Sequence, residues 1–249
     1  MLMKSAKLLS IKIITLFPEF INAFVGNFGI LKKAIKNKLL EIKPVNLRQF
    51  GLDERQTVDD RPYGGGVGMV LRSDILYKAI EAAKKLKIKN QKLKIRTILL
   101  TPQGKRFHQI DAKRLAKYDE LVMVSGRYEG FDERIRQFVD EEISIGDYVL
   151  MGGELPSLVI SEAVMRLRPG IIGKIESTTA ESFVGNLLEY PQYTKPEVWR
   201  VKRDKRKEIS FRVPKVLLTG HHKNIEDWRK LEALKRTKKR RPDLLKKSF

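Results

Sequence analysis

The sequence predicts an α/β protein built on a mostly parallel sheet. Three observations carry that expectation. Apolar runs of strand length alternate with amphipathic runs of helix length through the first two thirds of the chain. Three successive strand candidates end in glycine-bearing loops, at Gly104, at Gly126 and Gly130, and at Gly152 and Gly153. Beyond Gly173 the apolar periodicity gives way to a basic segment. Loops at the carboxyl ends of parallel strands share one sheet edge, so the three glycine loops are expected to line a single pocket.

Ile11–Leu16 is apolar and short, as a buried strand requires. Pro18 opens the next helix in its first turn. A second helix is expected from Ile30 to Leu39, with Leu31, Ala34, Ile35 and Leu39 inward, before extended chain at Leu40–Val45. Gly51–Gly68 reads as a long working loop that ends in DDRPYGGGVGMV, Asp59–Val70. It is no Walker A loop, since no Gly-Lys-Ser/Thr closes it, and no dinucleotide fingerprint either. Ser73 caps a helix to about Lys87, with Ile75, Leu76, Ala79, Ile80 and Ala83 as its core face. Thr97–Leu100 is a strand that stops at Thr101-Pro102-Gln103-Gly104. Ile110–Ala116 is a short helix, Glu120–Val124 a strand running into Ser125–Gly130, and Asp132–Val139 helical.

Ile143 to Gly173 is the stretch around which the chain is organised. Ile143, Ile145, Tyr148, Val149 and Leu150 suit a buried strand, and Gly152-Gly153 breaks it. Pro156 sits in the first turn of a helix expected to bury Leu158, Val159, Ala163, Val164 and Leu167, and Pro169-Gly170 ends it. Residues 174–186 read as a linker and Tyr190–Pro196 as a stiff turn region. From Lys195 to Phe249 there are 20 Lys/Arg against 7 Asp/Glu, a net of +13, on what reads as a small helical module.

With 249 residues the chain has room for one large domain or two smaller ones. Having no cysteine, it has no disulfide, thiolate metal site or cysteine nucleophile. Its three histidines, His108, His221 and His222, do not suggest a histidine metal site. A formal charge of +21 points to a polyanionic partner, nucleic acid first and an anionic membrane second. No apolar run approaches the ~20 residues of a membrane span. Lys12 interrupts the N-terminal apolar run and no cleavage site follows, so a cytoplasmic protein without a signal peptide is expected.

Seven segments, in order, resemble the bacterial tRNA (guanine-N1)-methyltransferase family of the SPOUT superfamily. They are ITLFPEF from Ile14, DDRPYGGGVGMV from Asp59, LTPQG from Leu100, SGRYEGFDERI from Ser125, SIGDYVLMGGELP from Ser144, LLEYPQYTKP from Leu187 and VPKVLLTGHHKNIEDWR from Val213. Together they span nearly the whole chain. The resemblance implies a parallel α/β domain over residues 1–172 whose last part forms a deep trefoil knot, a flexible linker over 173–187, and a basic, all-helical tRNA-binding domain over 188–249. It implies a homodimer that methylates N1 of the guanosine 3′ of the anticodon, with S-adenosyl-L-methionine as donor and a dependence on Mg²⁺ for which the sequence shows no metal cage.

Carried over by motif, the cofactor site would use Leu100, Pro102, Gly126, Tyr128, Ile145, Gly146, Asp147, Tyr148, Val149, Leu150, Gly152 and Gly153. Glycine loops suit such a ligand, because backbone groups read the adenine edges while Leu and Ile cover its faces. Guanine N1 carries a proton at neutral pH, so the reaction needs a base and a cationic group at O6. The family's base is an aspartate in an Asp-Ser-Phe motif; here Glu181 of Glu181-Ser182-Phe183 stands there, one methylene longer. Arg166 matches the catalytic arginine. Asp59, Arg127, Glu129 and Ser182 match positions near the substrate. Three alternatives remain: a SPOUT enzyme acting on another RNA nucleoside, such as a ribose 2′-OH; a catalytically impaired RNA-binding relative; and a basic membrane-surface protein, against which the lack of an amphipathic anchor helix counts.

Overall fold

The computed structural model describes residues 7–27, 29–85, 93–172, 181–204 and 207–246. The chain divides into two compact units, Met1–Ile175 and Glu176–Phe249.

The first unit holds a five-stranded sheet in the order β2-β1-β6-β5-β7, every pairing parallel. Its strands are β1 (Leu9–Thr15), β2 (Leu40–Asn46), β5 (Ile95–Arg106), β6 (Glu120–Ser125) and β7 (Glu141–Ser144). Two short strands, β3 (Asp59–Asp60) and β4 (Val70–Leu71), form a separate antiparallel pair. Helices α1 (Pro18–Asn27), α2 (Gly29–Lys36), α4 (Gln109–Leu115) and α5 (Glu154–Met165) supply one layer, and α3 (Ser73–Lys85) the other.

The period of two along each strand decides which layer a side chain meets. Leu9, Ile11 and Ile13 of β1 join Ile98 and Leu100 of β5 and Leu121 and Met123 of β6 in the core under α1, α2, α4 and α5. Ile14, Leu99, Val122 and Val124 point the other way, onto Ile75, Leu76, Ala79 and Ile80 of α3. Lys12 is the exception on that second face. It is 2 % exposed, and its Nζ donates to Glu120 Oε2 and to the Ala83 carbonyl, both at 2.7 Å. Glu120 is 3 % exposed, and its Oε1 accepts no hydrogen bond among the described residues.

Three expectations are corrected in this unit. Strand β5 does not stop at Leu100. Leu100 and Lys105 both register on Ile143, so residues 101–104 bulge out and the strand resumes to Arg106. Pro102 has no N–H to give the ladder, which favours a bulge there. Tyr148–Leu150 is not strand but exposed loop, with Val149 84 % exposed. Ser144 Oγ donates to the Gly146 carbonyl (2.9 Å) and accepts from the Gly146 N–H (3.1 Å), a local turn that competes with the ladder. Val159 is not buried. The face of α5 against the sheet uses Ser157, Leu158, Ile160, Ser161, Val164 and Met165, which leaves Val159 and Leu155 on the outer side.

Edge strand β7 is held by charge. Glu141 accepts from Arg96 Nε (2.8 Å) and from both terminal nitrogens of Arg114 (2.9 and 2.7 Å). Burial pushes its pKa up, but the bonds from Arg114 and Arg96 outweigh burial and hold it below the ordinary carboxylate value. A carboxylate with a depressed folded pKa stabilises above its unfolded value, about 4.3, and loses that contribution as pH falls through the folded value. Glu141→Gln is therefore expected to lower stability at pH 7 and to flatten the loss below about pH 4. Urea titrations at pH 7 and pH 3 measure this; an equal stability deficit at both pH values would rule it out.

The second unit is not all helical. Strands β8 (Val198–Asp204) and β9 (Lys207–Arg212) form an antiparallel hairpin ahead of α6 (His222–Arg240). The alternation of Ile209 and Phe211 with polar residues is a period-two signal that the charge of this segment obscures. Helix α6 packs through Thr237, whose Oγ1 accepts from Leu188 N (2.8 Å) and donates to the Ala233 carbonyl (2.7 Å). Residues 173–180, most of the expected linker, lie outside the described residues.

Candidate active site

At the carboxyl edge of the sheet the bulge within β5 and the loops after β6 and β7 close around one cavity of about 380 Å³. That volume is within the range of small-molecule sites, roughly 300–1,000 Å³. Its walls are the bulge at Leu100–Gln103, the loop Gly126–Phe131, the segment Ile143–Gly153 and Pro156 of α5. Every residue expected at the cofactor lines it except Asp147, which is exposed and paired with Arg106.

Close backbone approach shapes the floor. Gly153 N donates to the Gly126 carbonyl at 2.8 Å. A Cβ on Gly153 would lie 2.6 Å from Ser125 Cα and 2.7 Å from Gly126 N, and neither backbone atom has room to yield. Gly153→Ala is thus expected to force the β6 and α5 segments apart, costing about 1–3 kcal/mol of stability. Urea titration against the parent measures the loss, and an unchanged midpoint would show that the contact does not shape the site.

The two arginines on the wall are both paired. Arg127 Nε and Nη2 meet Glu154 Oε2 at 3.0 and 2.9 Å, and its guanidinium lies 4.4 Å from the Phe17 ring centroid. Glu154 is 2 % exposed, and its other oxygen accepts from Thr15 Oγ1 at 2.7 Å. This chain ties the Gly152-Gly153 turn to β1 and puts a carboxylate in the first turn of α5, where the helix dipole favours it. Arg136 donates to Gln103 Oε1 (2.6 Å) and pairs with Glu133 and Glu142. The remaining charges on the wall, Glu129 and Glu133, are acidic. A cleft of apolar side chains and backbone polar groups suits a flat, partly apolar ligand.

Glu129 is also the hinge pin of the glycine loop. Its Oε2 accepts from Met69 N at 2.7 Å, and its own N–H donates to the Met69 carbonyl at 3.1 Å. Gly68, at φ +91°, is where the loop turns past that carboxylate; a Cβ there would lie 1.8 Å from it. Asp59, in β3, pairs in register with Leu71 of β4, which in turn bridges to Phe131 on the cavity wall.

The expected catalytic arginine is not among the residues that line the cavity. Arg166 caps the carboxyl end of α5, while the cavity meets the amino end. Twelve helical residues separate the two ends, roughly 18 Å at 1.5 Å per residue. Glu181 and Ser182 belong to the second unit, where Ser182 Oγ accepts from Glu189 N at 3.1 Å. Sequence reasoning missed Phe131, Gln103, Ser144 and Pro156 as wall residues and Glu154 as their organiser. An acid directly after Gly-Gly and before an apolar helix was the available signal for Glu154.

Fold and cavity together define an α/β protein with a ligand-sized cleft at the carboxyl edge of a parallel sheet. Comparison with known families narrows this. The family model described as tRNA (Guanine-1)-methyltransferase TrmD matches residues 9–247, and the chain belongs to that family. A tRNA (guanine-N(1)-)-methyltransferase of a Sulfurihydrogenibium species is 48% identical over 240 residues, covering 96% of this chain and 89% of the relative. Those of Desulforamulus reducens and Dictyoglomus turgidum are 47% and 46% identical over 239 and 243 residues. They cover 95% and 97% of this chain, and 88% and 91% of their own lengths.

Proposed function

We propose that this chain is a tRNA (guanine-N1)-methyltransferase that uses S-adenosyl-L-methionine to methylate the guanosine immediately 3′ of the anticodon. The observation that carries the reading is a family match that runs from residue 9 to residue 247, through both units. The cavity residues fit the donor: Gly126, Gly152 and Gly153 offer backbone to the adenine edges, Leu100, Ile145 and Leu150 offer apolar cover, and Glu129 offers a carboxylate to its positive charge. Bound there, S-adenosylmethionine would supply an electrophilic methyl group.

The chain's own residues would do the rest. Glu181 takes the N1 proton of guanine, and Arg166 meets the charge that then builds on O6. Asp59, Glu129 and Ser182 hold the guanosine. Arg127, already bound to Glu154, acts by fixing the Gly152-Gly153 turn. The separation of Arg166 from its own cavity along α5 favours a homodimer in which the partner supplies the arginine. The return of the chain from edge strand β7 to the sheet centre, where Gly153 meets Gly126 and Glu154 meets Thr15, favours the knotted topology. The second unit grips the anticodon arm through phosphates, so affinity falls steeply with salt. No described helix is long and apolar enough to cross a membrane, and the reading places the enzyme in the cytoplasm with tRNA.

The test is incubation with labelled S-adenosylmethionine and an unmodified tRNA transcript, followed by mapping of the methylated atom. Label on N1 of that guanosine is expected, and a transcript with adenosine there should take none. Label on a ribose 2′-OH would make this a related enzyme, and no donor binding by calorimetry would make it an RNA-binding scaffold. Leaving Mg²⁺ out of the same assay reads the metal dependence that the family resemblance implies.

A further inference from the structure

We propose that the β8–β9 hairpin is an RNA-contact surface in its own right, one that stacks unpaired nucleotides of the tRNA on Trp199 and Phe211. The ribbon is two strands wide and pairs with no third strand among the described residues. Isolated two-stranded hairpins are marginal in water, so an exposed one with a patterned surface calls for a partner. Its register places Trp199 opposite Phe211 and Val201 opposite Ile209, so these four share one face. The two rings lie 5.5 Å apart at 33°, yet Trp199 is 59 % exposed and Phe211 52 %. Rings that merely filled a core would not be left so open.

Charge selects the occupant. Residues 198–212 carry seven Lys/Arg and two Asp/Glu, a net of +5 in fifteen residues. Arg200, Lys202 and Arg212 are exposed and alternate with the ring-bearing positions, so they line the opposite face of the ribbon, within reach of a backbone that wraps its edge. A net of +5 on so short a ribbon favours an anionic occupant. A single-stranded stretch of RNA brings flat faces for the rings and phosphates for the cations, which is how sequence-tolerant RNA surfaces are built.

The inference rests on tRNA being the substrate, so the parent enzyme is assayed first. Without methyl transfer from the parent, that reading falls. With it, Trp199→Ala/Phe211→Ala is expected to raise KM for full-length tRNA at least tenfold, with kcat at saturating tRNA and KM for the donor unchanged. Arg200→Gln/Lys202→Gln/Arg212→Gln should reduce the slope of log affinity against log salt by about 2. Trp199→Phe should restore most of the affinity lost in Trp199→Ala, since stacking needs only a ring. In a Trp228→Phe background, tRNA should quench the remaining emission from Trp199. Unchanged KM in both multiple variants with no quenching overturns the proposal for the hairpin alone. A change in sedimentation with unchanged KM overturns it in favour of a protein contact.

Discussion

Glu181→Gln is expected to lower kcat for guanine N1 methylation by about 10²–10⁴-fold, the usual contribution of a general base. The amide keeps the size and hydrogen-bonding reach of the side chain but cannot accept the proton. Donor and tRNA affinities should stay within a few-fold of the parent, because a base that acts only as N1 loses its proton adds little to ground-state binding. Glu181→Asp carries the shorter acid of the family motif and should restore turnover. If the Gln variant kept more than a tenth of parental kcat, the base would have to be another group.

Glu120→Ala is expected to cost about 3–5 kcal/mol of stability, since among the described residues it leaves the buried Lys12 ammonium with the Ala83 carbonyl alone as partner. For a unit of this size that is roughly 6–20 °C in Tm. The double change Lys12→Met/Glu120→Leu, which removes both charges and keeps the volume, should fall within about 1–2 kcal/mol of the parent or exceed it. Urea titrations of the two variants separate the cases. A loss below about 1 kcal/mol for Glu120→Ala would mean that water reaches the pair.

The sheet was legible because its signal is local. Leu9–Thr15 and Glu120–Ser125 are buried along their whole length, and such runs read as strands without tertiary information. The pocket was legible for a topological reason: parallel strands place their carboxyl ends on one edge, so loops distant in sequence meet. Tyr148–Leu150 misled because apolar content alone does not distinguish a buried strand from a ligand-facing loop, and Ser144 turned the chain through a side-chain bond that no periodicity reports. The Arg127–Glu154–Thr15 chain was invisible because its members lie 27 and 139 residues apart. The hairpin was hidden because basic residues on both strands drown its alternation.

The carboxylate of Glu129 has two calls upon it, the amide of Met69 on one side and the cavity on the other. A ligand that took Oε2 would release that amide, while one that took Oε1 would leave the 64–68 loop fastened. Glu129→Gln would keep an oxygen for the Met69 amide while taking the negative charge away from the cavity, so the loop should hold and only a cationic ligand should weaken.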